Sequence, residues 1–177
     1  MTTAELPGNL THEKWAELLS SASHNACHLE MRDVYAVDEE DARFREWKET
    51  GRLGREEHPW FDLIAGLSAG GVHVRRARIV SEPVSSYVRF EHACTWQNVE
   101  AGEQVRWLPR RLASCIALPG NDFWLLDGAQ VLFSLFDGDG RRVGKTLTND
   151  ATAVKLCGSA FDAVWELATP HEEYTPV

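Results

Sequence analysis

The stretch FWLLDGAQVLFSLF, residues 123–136, limits the possible folds of this chain more than any other. Two apolar runs flank Asp127-Gly128, and that dipeptide supplies the positive φ angles a two-residue hairpin turn needs. A second turn, DGDG at 137–140, leads into RRVGKTL, which predicts a third strand. Asp150 can then start a helix on which Val154, Cys157, Phe161, Val164, Trp165 and Ala168 recur at steps of three and four. That stripe packs on the sheet, and Pro170 stops the helix.

Upstream the periodicities are mixed. Residues 1–10 contain Pro7, Gly8 and Asn9 and read as a flexible arm. Thr11 can cap a helix carrying Trp15, Leu18, Leu19 and Ala22. Cys27, Leu29 and Met31 alternate with His28, Glu30 and Arg32, the pattern of a half-buried strand. Residues 38–50 and 59–69 read as helices, 72–80 as a strand, 85–101 as one helix ended by Gly102, and 104–108 as a strand. The expected organisation is an arm over 1–10, a single domain over 11–170 and a fraying tail over 171–177. Its class is α+β, with a short-stranded mixed sheet in the C-terminal two-thirds and packed helices. The strands at 72–80 and 123–127 are expected to be neighbours.

The net charge of −9 sets the partner expectations. An acidic chain repels phosphate backbones and anionic membranes, which disfavours direct nucleic-acid binding despite local basic patches at Arg75, Arg76, Arg78 and at Arg110, Arg111. No apolar run reaches the roughly 18 residues of a membrane span. The four cysteines lie far apart, and the first residues lack a basic stretch followed by an apolar one. Free thiols in the cytoplasm are the expectation.

Several motifs fail on spacing. GRRVGKT leaves three residues between Gly140 and Gly144 where a phosphate-binding P-loop needs four. DGDG places Arg141 where a calcium loop needs its next oxygen ligand. His24, Cys27 and His28, with His92 and Cys94, contain the right atoms for zinc but not the paired spacing, so no metal is assigned. No GxSxG elbow is present, and a thiol nucleophile at Cys27 or Cys94 would need a histidine brought against it. No cofactor is implied.

The informative cluster is polar residues interleaved with core positions in RARIVSEPVSSYVRFE, residues 76–91. Arg76, Arg78, Glu82, Tyr87, Arg89 and Glu91 surround one strand-to-helix junction, where sheets of this kind place ligand crevices. The helix beginning near Ser85 offers free N–H groups to an anion. Structural ion pairs, Arg78–Glu82 and Arg89–Glu91, are the competing explanation. Asp122 joins the cluster if its strand lies beside 72–80.

VRRARIVSEPVSSYVRFE, NVEAGEQVRWLPR, LPGNDFWLLDGAQVLFSLFDGDGR and FDAVWELATP, with HLEMRDVY and FREWKETG earlier, resemble an uncharacterised actinobacterial domain family. Its members are found beside helix-turn-helix regulators, which implies a regulatory accessory role and such a regulator as partner. The C-terminal half is more remotely similar to phospholipase-D-like sensor domains, which implies a phospholipase-D-like half-fold. Catalytic members carry HxKxxxxD. Here His73-Val74-Arg75 imitates it, with Arg75 for the lysine and Val80 for the aspartate, which implies a catalytically silent relative.

The leading expectation is a non-enzymatic regulatory or ligand-sensing domain that binds a small anionic metabolite or a protein at the 76–91 junction. One alternative is an enzyme in the same cleft, with arginines binding an anion and Glu82 or Asp122 as general base. The other is an interaction protein for a helix-turn-helix regulator.

Overall fold

A computed structural model describes residues 2–35 and 38–177, side chains of 38–41 excepted. Its strands are β1 (Thr3–Pro7), β2 (Asn25–Glu30), β3 (His73–Val80), β4 (Gln104–Pro109), β5 (Phe123–Leu126), β6 (Gln130–Phe136), β7 (Arg142–Thr148) and β8 (Thr169–Pro170). They form one mixed sheet in the order β1-β7-β6-β5-β2-β3-β4-β8. The centre, β2-β3-β4, is parallel, and the other pairings are antiparallel. The helices are α1 (His12–Leu19), α2 (Asp38–Thr50), α3 (Pro59–Ala69), α4 (Ser86–Cys94), α5 (Trp96–Glu100) and α6 (Ala151–Leu167).

Strand alternation sorts the core into two sides. Cys27, Leu29, Ala77, Ile79, Phe123, Leu125 and Val131 pack against Cys157, Phe161, Val164 and Trp165 of α6. Ala26, Val74, Trp124, Leu126 and Leu132 meet α1 and α3 on the opposite face, and Val105 and Trp107 meet α4 there. Asp150 caps α6, its carboxylate accepting the N–H groups of Thr152 and Ala153. The hairpin forms as its sequence predicts, with Asp127 at φ 49° and Gly128 at φ 63°. The Asp127 carboxylate also accepts the backbone N–H groups of Ser23, His24 and Asn25, which ties the hairpin to the entry of β2.

Five expectations are corrected. Residues 1–10 are not wholly a loose arm: Thr3–Pro7 is a strand because β7 offers it a free edge, in register from Thr3↔Thr148 to Pro7↔Gly144. The sheet therefore also draws β1 and β2 from the first thirty residues. β3 and β5 are not neighbours, since β2 lies between them. The helical stretch 85–101 breaks at Thr95, whose hydroxyl donates back to the Glu91 carbonyl at 2.7 Å. Residues 171–177 do not fray: Tyr174 stacks on Trp107 at 5.6 Å, its carbonyl bonds His92, and the Val177 carbonyl accepts from Val84.

Candidate functional site

The same alternation that builds the helix-covered face places a transverse polar row on it. Glu30 of β2 lies opposite Arg78 of β3, and Ser134 of β6 lies opposite Lys145 of β7. Asp122 immediately precedes β5, and its carbonyl accepts the Ser134 N–H, so it sits between Ser134 and Glu30. One register step away, His28 lies opposite Arg76 and Trp124 and stacks on the Trp124 ring at 4.4 Å. The row reads Lys145, Ser134, Asp122, Glu30, Arg78.

At one end every charge is answered. Arg76 Nε donates to Glu103 Oε1 at 2.8 Å, and its Nη1 to Glu30 Oε1 at 3.1 Å. Arg78 Nη1 reaches Glu91 Oε2 at 2.5 Å. Its Nε lies 2.8 Å from Glu30 Oε2, an ion-pair contact outside hydrogen-bond angles. Burial pushes the Glu30 carboxyl up, but Arg78 and then Arg76 pull it down to about 2. Asn98 donates to the second oxygen of Glu103, a residue only 1% exposed. His28 is held neutral, its basicity lowered by burial against the weaker pull of Glu30.

The other end is different. Lys145 is 2% exposed, donates to the Ser134 hydroxyl at 2.8 Å, and lies 4.9 Å from the Trp15 ring centroid. Among the described residues no carboxylate pairs with it. Burial, and then Arg142, lower its pKa to about 7. Asp122 is 3% exposed; its Oδ1 accepts the Met31 N–H at 2.9 Å and its Oδ2 the Tyr35 hydroxyl at 2.5 Å. Burial, and then the Glu30 charge, raise its carboxyl to about 6 against those two bonds. Burial, followed by Glu30 and Asp122, pushes the Tyr35 phenol well above its ordinary value.

The structure divides the sequence-predicted residues into three places. Arg76, Arg78 and Glu91 are in the paired end of the row. Asp122 is on the same row beyond Glu30, immediately before β5, which is two strands from β3 rather than beside it. Glu82 and Arg89 are at the outer edge, committed to the tail: Glu82 accepts from the Tyr174 hydroxyl and pairs with Arg111, and exposed Arg89 donates to the Pro176 carbonyl. Tyr87 sits among Tyr35, Phe44 and Phe90. The expected pairs Arg78–Glu82 and Arg89–Glu91 do not form; Glu30 and Tyr174 take those roles. Sequence reading missed Glu30, Glu103, Tyr35, Ser134 and Lys145. The available signal was a charge at an inward position of a strand, as at Lys145, which shares its face with Leu147.

The metal candidates do not converge. Cys27 faces α6 and His28 the opposite side, and among the described residues no three His, Cys, Asp or Glu side chains could hold a metal ion. Two surface clefts, of about 350 and 550 Å³, open along α3, one at Leu63, Gly66 and Gly70, the other at His58, Phe61 and Gln97. Neither touches the row. No helix among the described residues is long and apolar enough to cross a membrane.

The family pattern for a domain of unknown function, DUF6879, matches residues 13–176. The chain belongs to this family. No curated protein matches the DUF6879 chain. Among solved structures it is similar to the archaeal chromatin protein TrmBL2, described as having a novel mode of DNA binding, at 15% identity and TM-score 0.54. That likeness covers 96% of this chain and 55% of TrmBL2, so this chain spans about half of that protein's length. It is also similar to Nuc, a phospholipase D family member from Salmonella typhimurium, at 8% identity and TM-score 0.56, over 96% of this chain and 95% of Nuc. NucT from Helicobacter pylori matches at 12% identity and TM-score 0.52, over 96% and 98%. At these identities the likeness is one of fold.

The fold neighbours correct the exclusion of nucleic acid. A DNA-binding protein shares this fold, and a whole-chain charge of −9 is a sum that says nothing about any one face. The HxKxxxxD spacing can also be tested in space. In the frame from 73 to 80, His73 is exposed at the strand's start and Arg75 lies on the α6 face over Phe161 and Trp165. A second frame ends on Asp127 and puts Gly120 at the histidine position and Asp122 at the lysine position. Neither frame supplies an imidazole nucleophile with a lysine beside it.

Proposed function

We propose that this DUF6879 chain is a non-enzymatic ligand-sensing domain built on a phospholipase-D-like scaffold, with its ligand taken at the Asp122–Lys145 end of the polar row. The observation that supports this most is Lys145: a buried amine answered, among the described residues, by one hydroxyl and no carboxylate. A buried charge without a partner costs folding energy, and such groups are retained where a ligand supplies the missing partner. Arg76 and Arg78, by contrast, have carboxylate partners already.

An enzyme with Asp122 as general base is the second reading, favoured by a carboxyl held near 6. Both oxygens of that carboxylate already accept hydrogen bonds, which leaves it poorly disposed to take a substrate proton. The test pairs two assays on the full chain: hydrolysis of a chromogenic phosphodiester, and thermal shift against a panel of phosphorylated, carboxylated and neutral metabolites. The expected result is no turnover and a shift with one ligand class that Lys145→Met abolishes. Turnover above buffer, lost in Asp122→Asn, would overturn the sensing reading.

A further inference from the structure

We infer that Arg32, Arg142 and Lys145 form an oxyanion site at the rim of the sheet, one that takes the phosphate group of a small metabolite. This rests on the ligand-sensing reading and names the chemistry of its ligand.

Phe136 organises the site. Arg142 is its partner across the β6–β7 ladder, and the Arg32 guanidinium lies 4.7 Å from its ring centroid. The Tyr35 ring packs 5.6 Å away on the same residue and holds Asp122 through its hydroxyl. The ladder shifts register between Leu135 and Phe136, so Val143 is the extra residue of a β-bulge. Cross-strand partners share a face, so Arg142 lies with Phe136 on the side that carries Ser134 and Lys145.

These cations lack what their neighbours have. The Nε atoms of Arg32 and Arg142 are buried without a hydrogen-bond acceptor, as is that of Arg78, but unlike Arg78 neither side chain has an ion pair among the described residues. Lys145 has three donors and, among the described residues, one hydrogen-bond acceptor, Ser134. Their charges reach the row: Arg142 acts on Lys145 and Glu30, and Arg32 acts on Asp122. Arg76 and Arg78 pair with Glu103 and Glu91 and share Glu30, so among the described residues Arg32, Arg142 and Lys145 stand beside Asp122 and the shared Glu30. Three cations beside two carboxylates leave positive charge for an anion. Two guanidinium forks and an ammonium suit the three terminal oxygens of a phosphate monoester better than the two of a carboxylate. Both arginines are half-buried, so the site opens to solvent on their side.

The test is calorimetric titration of the full chain with inorganic phosphate and with sulfate, at constant ionic strength, for wild type, Arg32→Gln, Arg142→Gln and the outer-edge control Arg89→Gln. Saturable binding is expected in wild type, weaker by about tenfold or more in each of the first two variants and unchanged in the control. Sulfate keeps its charge across neutral pH, so its affinity reports the protein. It is expected to fall as pH rises through about 7, where Lys145 loses its proton among Asp122, Arg142 and the neutral His28. Without anion, Arg32→Gln and Arg142→Gln should melt no lower than wild type, because each removes an unanswered cation; a side chain that only held the fold would melt lower.

No saturable binding of either anion, or binding that survives both variants, overturns the site. So does a DNA duplex that binds through these arginines while the free anions do not. A panel ligand of another class that still shifts the wild type preserves the sensing reading after such a failure. Phosphodiester turnover removes that reading on its own evidence.

Discussion

The two ends of one polar row differ in a single respect. Glu30, Arg76, Arg78, Glu91 and Glu103 lie along one row with Asp122, Ser134 and Lys145, each buried or half-buried. In the first group two arginines share three carboxylates, whereas among the described residues no carboxylate pairs with Lys145 in the second or with Arg32 and Arg142 beside it. A paired buried cluster roughly breaks even against an apolar core and fixes geometry. An unpaired one is a cost that the fold does not need. Residue type does not separate the two ends, since both hold arginines and carboxylates; the presence or absence of counter-charge does.

The largest effect that would sharpen the comparison is at Glu103. Glu103→Gln leaves Arg76 short of a buried partner and is expected to cost about 3–5 kcal/mol in urea unfolding. A loss below about 1 kcal/mol would deny the paired end its structural role.

Lys145→Met is expected to act in the opposite sense. The folded lysine titrates near 7 and the unfolded one near 10.5, so between these values the unfolded chain binds more protons and stability climbs with pH. The wild-type minus variant difference should therefore rise from pH 7 to pH 10. A flat difference breaks the claim that the ammonium is unanswered.

Next come the two carboxylates, which should respond with opposite signs. Asp122 has a folded value of about 6, above its ordinary value of 3.8, so its contribution is full below 3.8 and is lost as pH rises through 6. That loss is about 3 kcal/mol at most, and Asp122→Asn should remove it. Glu30 is held at about 2, below 4.5, so its contribution is present above 4.5 and is lost as pH falls through 2. Unfolding curves of Asp122→Asn and Glu30→Gln across acid pH separate the two. The smallest expected effect is Arg142→Gln, within about 0.5 kcal/mol of wild type in urea without anion.

The legible parts of this fold were local ones. Asp127-Gly128 fixes its hairpin through two positive φ angles, and the stripe from Cys157 to Trp165 fixes the face of α6, each from neighbours in sequence. β1 was illegible because its partners begin at Gly144, and only Leu6 of its five residues is even partly buried. The tail was illegible for the same reason: Tyr174 finds Trp107 across the sheet edge.

The site was half legible. Arg76 and Arg78 announced themselves as charges inside an apolar strand, but their partners Glu30 and Glu103 lie on other elements, and no local spacing links them. Lys145 lay within a failed P-loop pattern, which drew attention to the glycines. The period-2 alternation that sets Lys145 beside Leu147 on an inner face was the usable signal.

Lys145 decides between these readings: it is a buried amine with no carboxylate partner among the described residues. The most direct measurement is its own titration, followed by the ¹³Cε chemical shift with and without saturating sulfate. The expected midpoint is about 7 in the free protein, moving upward when sulfate binds. A midpoint near that of a free lysine, about 10.4, and indifferent to sulfate, would contradict it.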